Sequence, residues 1–181
     1  VVKLRYFFFL LIILSFHAGA EVTSEGLFET INERLSYMED VALFKAENHR
    51  PIEDIERESV VIEKAKASAY DRGLDPSSVE SFFKAQISVA KAIQFRHRAD
   101  FLSQPLQRKP KDLQREVRPS LIRLGDKIIE KMVMYIKAHG SFKSIQFAEF
   151  DAVVNVKHVG FLDKQLLFNA VQKVKEIPVN E

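Results

Sequence analysis

SEGLFETINERLSYMEDVALFKAE, Ser24–Glu47, carries apolar residues at Leu27, Ile31, Leu35, Met38 and Val41/Ala42. A recurrence of three or four residues places them on one face of an α-helix, and Thr23 or Ser24 is available as its N-cap. This stretch predicts one long amphipathic helix reaching about Glu47. Asn48-His49-Arg50-Pro51 then interrupts it, because the residue before a proline avoids the helical region and Pro51 has no N–H to donate. A second helix is expected from near Ile52 or Glu53 to Arg72, with Gly73 as the residue after its C-cap. Asp75-Pro76, an N-cap followed by proline, opens a third through about Leu102. Three amphipathic helices joined by short turns pack most simply as an antiparallel bundle.

Beyond them, Ser103 to Asp112 contains Pro105 and Pro110 among Gln, Arg and Lys and reads as an exposed connector. A fourth helix is expected over Leu113 to His139, ended by Gly140. Phe161 to Ile177 has helical periodicity. Phe150 to Val159 is rich in valine and locally strand-like, yet reads as helix because a lone strand would have nothing to pair with. The whole is an all-α bundle of about five to six helices.

Composition agrees. The 181 residues are 46% apolar, enough for one domain with a core, and six Gly and six Pro leave little material for the turns of a sandwich or barrel. Residues 1–20 stand apart: Lys3 and Arg5 precede an unbroken apolar run, Tyr6 to Phe16, and Ala18-Gly19-Ala20 follows as a cleavage signal. The run is well short of the ~20 residues of a membrane span, so a signal peptide is expected, with a mature chain of 21–181. Within that chain, 21–103 and 112–181 are its two helical portions. Without Lys3 and Arg5, 25 basic side chains face 25 acidic ones. A neutral mature chain argues against nucleic acid, which wants a net basic face, and after signal removal no membrane contact is expected. The absence of cysteine excludes disulfides and thiolate chemistry.

Charges on the apolar faces carry the functional argument. Arg34, Met38, Val41 and Lys45 are spaced four, three and four apart, and eleven residues at about 100° each return to within about 20° of the start. Two cations therefore share an inward stripe. Asp54, Arg57, Glu58 and Val61 share a face of the second helix, and Val79, Phe83, Ile87, Ala90 and Gln94 share one of the third. Taken singly, each has a plainer reading: long basic side chains snorkel from grooves, and Asp54 with Arg57 and Glu58 forms an ordinary surface ion cluster.

Together, the run Arg34-x10-Lys45-x3-His49-Arg50-Pro51-Ile52-x-Asp54-Ile55-x-Arg57-Glu58, then Ala85-Gln86-Ile87 and Lys91-Ala92-Ile93-Gln94, resembles the AroQ chorismate mutases. The signal segment and the extra helices after Leu113 are similar to the secreted, gamma class of that family. The resemblance implies a cofactor-free isomerase that turns chorismate into prephenate, exported to the periplasm or beyond, and a homodimer. It implies that Arg34 binds a substrate carboxylate, that Lys45 reaches a carboxylate and the ether oxygen, and that Gln94 donates a second hydrogen bond to that oxygen. Asp54 and Glu58 would accept from the ring hydroxyl, with Arg57 beside them. A further arginine would come from after the connector, Arg118 or alternatively Arg115. Ala90 stands where relatives often carry Ser or Thr, and Phe101 where Trp is common. His49, in the helix break, has no assigned role. His97, His139 and His158 show no metal-ligand spacing with a carboxylate, so no metal is expected. Two other functions stay open: an isochorismate-pyruvate lyase on the same scaffold, and a non-catalytic exported binding protein.

Overall fold

The protein was analysed as a computed structural model that describes residues 22–178. The expected signal segment lies outside the described residues. Among the described residues the chain forms α1 (Glu25–Ser36), α2 (Met38–Glu47), α3 (Ile55–Asp71), α4 (Pro76–Ser103), α5 (Arg118–His139), α6 (Phe147–Val153) and α7 (Phe161–Val171). No strand is present among them, and none of their helices is long and apolar enough to cross a membrane.

α4 is the central element: α2 and α3 pack along it on one side and α7 on another, while α5 closes over α1 and α3. The core is dense in phenylalanine. Phe28, Phe82, Phe83, Phe142 and Phe150 are fully buried, with Phe28 and Phe150 edge-to-face at 5.0 Å and Tyr135 stacked on Phe142 at 4.7 Å. Such pairs add about 0.5–1.5 kcal/mol each beyond the area they bury.

The long N-terminal helix is divided at Tyr37. The Ser36 hydroxyl donates to the Glu33 carbonyl at 2.7 Å, the acceptor that the Tyr37 N–H would otherwise use. Tyr37 keeps helical angles, and the ladder resumes with the Val41 N–H on its carbonyl at 3.0 Å, so the direction persists. Counted as one interrupted helix, α1 and α2 bring the described total to six.

α3 begins later than expected because Asp54 is its N-cap, accepting from the Arg57 N–H. Asp75 caps α4 and Asp112 caps the π-helical turn Leu113–Val117 that runs directly into α5. The connector before it is pinned rather than free: Arg108 reaches Glu39 at 2.7 Å and Asp40 at 2.5 Å.

One expectation is corrected. Helix ends at Val153, and Val154 to Gly160 is irregular, neither helix nor strand. The side chain of Asn32 on α1 takes the backbone N–H groups of Asn155 and Val156, at 2.9 and 3.2 Å, which gives that segment partners outside any ladder. α7 is likewise shorter than its periodicity suggested. After Val171 the chain leaves the helix and lies against the α3–α4 turn, where the Asp75 N–H bonds the Lys175 carbonyl and the Ile177 N–H bonds that of Gly73.

Candidate active site

The three charged stripes converge on one cavity, bounded by α2 with the end of α1, by α3, by α4 and by the start of α5. Arg34, Lys45, Asp54, Arg57, Glu58, Ala90, Gln94 and Arg118 all line it; Arg115 does not, and is exposed. The register after the connector decides between the two arginines. The π-helical turn carries Arg115 outward, and Arg118, the first residue of α5, faces the cavity.

Arg34 is 6% exposed, its Nε has no hydrogen-bond partner, and it forms no ion pair among the described residues. Its nearest compensation is the ring of Phe83, with the guanidinium carbon 5.9 Å from the centroid. Burial, and secondarily the charge of Arg57, lowers its pKa to about 10, so it remains a cation at neutral pH. Lys45 is 8% exposed and gives its Nζ to the Ile52 carbonyl across the helix break. Burial also lowers its pKa, against the opposing pull of Asp54 and Glu58, with Arg118 and Arg98 adding to the depression. A buried cation without an anion is costly, so two on one wall mark a place where an anion belongs.

The carboxylates are more fully engaged. One oxygen of Asp54 caps α3 at 3.1 Å and the other lies 3.5 Å from Arg118. Glu58 accepts the Asp54 N–H at 3.3 Å and pairs with Lys91 at 3.1 Å. Gln94, 5% exposed, donates Nε2 to the Ala90 carbonyl at 3.1 Å and to the sulfur of Met38 at 3.4 Å. Thioether sulfur is a weak acceptor, so that second N–H is readily redirected to a better one. Phe101 lies away from the cavity, stacked on His97, and His49 occupies the turn after α2 with φ 50°.

Residue-type reasoning passed over several members of the site. Lys64, Lys91 and Asp126 also line the cavity, which gives six basic side chains against three acidic ones. Lys91 was within reach from the sequence, four residues after Ile87 on the same stripe. Lys64 follows Val61 at i+3 in the same way. Arg98 has no place in the lining yet bonds the carbonyls of Lys45 at 3.1 Å and Arg50 at 2.8 Å, fixing the turn that carries Lys45. No linear signal distinguishes it, because both acceptors are backbone atoms some fifty residues away.

An enclosure with surplus positive charge, apolar walls and one primary amide suits a small dianion with a polarised oxygen between its charges. Comparison with known proteins accords with this. Residues 24–95 match the family described as chorismate mutase type II. A secreted chorismate mutase of Yersinia pestis is 40% identical over 172 residues, spanning 92% of this chain and 91% of the relative. The chain belongs to the chorismate mutase family. A monofunctional chorismate mutase of Enterobacter agglomerans is 31% identical, with 86% of each chain covered. The crystal structure of the Yersinia pestis secreted chorismate mutase superimposes with a TM-score of 0.80, covering 83% of this chain and 97% of that one. Chorismate mutase from Burkholderia thailandensis shares the fold at 23% identity and a TM-score of 0.69, with the same shares covered. Similarity to this family therefore extends past the matched segment into α5–α7, which the N-terminal motif alone does not reach.

Proposed function

We propose that this chain is a chorismate mutase that rearranges chorismate to prephenate within the cavity, using no cofactor. The observation that carries the reading is the pair of buried cations without an ion pair among the described residues, Arg34 and Lys45, lining one cavity with the amide of Gln94, which reaches Met38 on the stripe between them. Chorismate carries two carboxylates. As its ether C–O bond stretches ahead of C–C bond formation, negative charge gathers on the ether oxygen. The reaction needs no nucleophile or base; it needs the reactive conformer held and donors preset against that oxygen. In this reading Arg34 and Arg118 hold carboxylates, Lys45 serves a carboxylate and the ether oxygen, and Gln94 turns its N–H from Met38 to the same oxygen. Asp54 and Glu58 accept from the ring hydroxyl, and Arg57 adds positive potential beside Arg34. Ala90 leaves a wall without a hydroxyl donor, which forgoes about 1 kcal/mol of binding.

Loss of chorismate absorbance, with the product converted by acid to phenylpyruvate, tests the proposal. Turnover that persists with a chelator supports it. A folded protein that leaves chorismate unchanged overturns it, and isochorismate is then the next substrate. Gln94→Ala is expected to lower kcat about a hundredfold or more, the cost of one donor to developing charge, with the circular dichroism spectrum unchanged.

Rate against pH reports on Lys45. Its pKa is depressed, so it loses its proton, and the site its charge, at a lower pH than an ordinary lysine. The alkaline limb of kcat/KM should accordingly begin below the usual lysine range. A bound dianion favours the charged form, so the limb of kcat should lie at higher pH than that of kcat/KM.

The relative's designation as secreted and the leading segment of residues 1–20 together support export with cleavage near Ala20. The homodimer implied by the resemblance is carried as part of this proposal, to be checked by sedimentation.

A further inference from the structure

Outside the cavity, the last turns of α4 and the loop before α7 bring together His97, Asp100 and His158. One ligand atom from each lies within 4.8 Å of the others. The Nε2 of His158 is 2.7 Å from Oδ2 of Asp100, and the two imidazole rings meet edge-to-face at 4.6 Å. His97 is 3% exposed, and its Nδ1 is buried with no hydrogen-bond partner among the described residues. That nitrogen lies 3.7 Å from Oε1 of Glu39 on α2, too far for a hydrogen bond. Two imidazoles and two carboxylates thus converge from three elements, and one buried ligand nitrogen is left unused.

We propose that His97, Asp100 and His158 form a binding site for a divalent cation of the zinc class, with Glu39 as the carboxylate nearest to a fourth position. Imidazole nitrogens select zinc, cobalt, nickel or copper over calcium and magnesium, which take oxygen ligands. Ligand atoms at zinc distances of about 2.0–2.2 Å stand roughly 3.4 Å apart in a tetrahedron, so the observed group contracts onto an ion through side-chain rotation. Asp100 also accepts from the Lys157 ammonium at 2.9 Å. That side chain is 62% exposed and leaves for solvent when an ion takes its place. The Oε2 of Glu39 is held by Arg108, which leaves Oε1 on the side of His97.

The linear sequence hides the site. His97 and Asp100 lie one helical turn apart, but two residues are no ligand set by themselves, and His158 arrives from about sixty residues away. An ion here would clamp α4 to the α6–α7 loop and to α2, three residues beyond Gln94 and outside the cavity lining. Its role is to brace the scaffold, and the rearrangement itself does not depend on it.

The test uses the protein purified without a histidine tag, treated with chelator and dialysed, then titrated with zinc by calorimetry and melted with and without the ion. One zinc per chain is expected, with Tm raised by roughly 5 °C at a hundredfold excess over Kd. Cobalt(II) should give the visible absorption of a tetrahedral site. His158→Asn keeps a residue tolerant of the positive φ of 69° at that position and should weaken binding about 10–100-fold, as should Asp100→Asn. Lys157→Gln removes the competing cation and should tighten it. No heat and no Tm shift with zinc would overturn the site, and so would binding that survives His158→Asn, which would place the ion elsewhere. Because the readouts are affinity and melting, the result does not depend on the mutase assay.

Discussion

Lys45→Ala is expected to reduce kcat by about a thousandfold, with helicity and cooperative melting retained. The magnitude follows from removing a charged donor aimed at an oxygen whose charge develops only in the transition state. The side chain is buried, has no carboxylate partner among the described residues, and spends its hydrogen bond on the Ile52 carbonyl. Losing that bond does not free the turn from Asn48 to Asp54, because Arg98 holds the Lys45 and Arg50 carbonyls independently. Lys45→Arg should recover little: a planar guanidinium does not occupy the space of a compact ammonium on a packed wall. The decisive comparison is kcat and the denaturation midpoint on the same preparation. Near-normal turnover in a folded Lys45→Ala protein would remove Lys45 from the site.

Arg34→Met is expected to abolish detectable turnover and to raise stability at once. Arg34 is buried without an anion, and its folded pKa is held at about 10 by burial. That depression corresponds to roughly 3 kcal/mol of disfavoured charge. The sign follows from linkage. Below about pH 10 both folded and unfolded chains carry the charge and the fold bears the full cost; the cost lapses only as pH rises from there through the ordinary arginine range. Methionine keeps much of the volume without the charge and forfeits only the cation–π contact with Phe83, about 0.5–1 kcal/mol. A net gain of about 1–2 kcal/mol, roughly 2–8 °C in Tm, is expected at neutral pH. A substitution that destabilises instead would show that the guanidinium is already compensated by its protein surroundings and would remove Arg34 as an anion-binding group. Chorismate or its product should also stabilise the wild type more than the variant, which has lost one of the two cations without an ion pair.

Both predictions rest on features legible in the linear chain. Arg34 and Lys45 share a stripe because eleven residues make almost three helical turns, whatever the helix packs against. Asp75-Pro76 and Gly140 mark helix ends through backbone chemistry that is local, and the structure has them there, with Gly140 at φ 78°. The break at Asn48–Pro51 and the all-helical class were accessible for the same reason. Elsewhere, local signals competed with one another. Ser36 took a carbonyl from the ladder, Asp54 capped one or two residues past the expected start, and Asn32, more than a hundred residues away in the chain, claimed the backbone N–H groups that Val154–Gly160 would have used in a helix.

The sequence by itself therefore determined most of the helices, their polar stripes and the types of residue that line the cavity, because these follow from periodicities of three to four residues and from caps within one turn. Only the tertiary structure decided which arginine enters the cavity, that Lys64, Lys91 and Asp126 join it, that Arg98 steadies Lys45, and that His158 meets His97 and Asp100. Each of those depends on the packing of α3, α4, α5 and the α6–α7 loop across dozens of residues of intervening chain, and no local preference of the backbone encodes such distances.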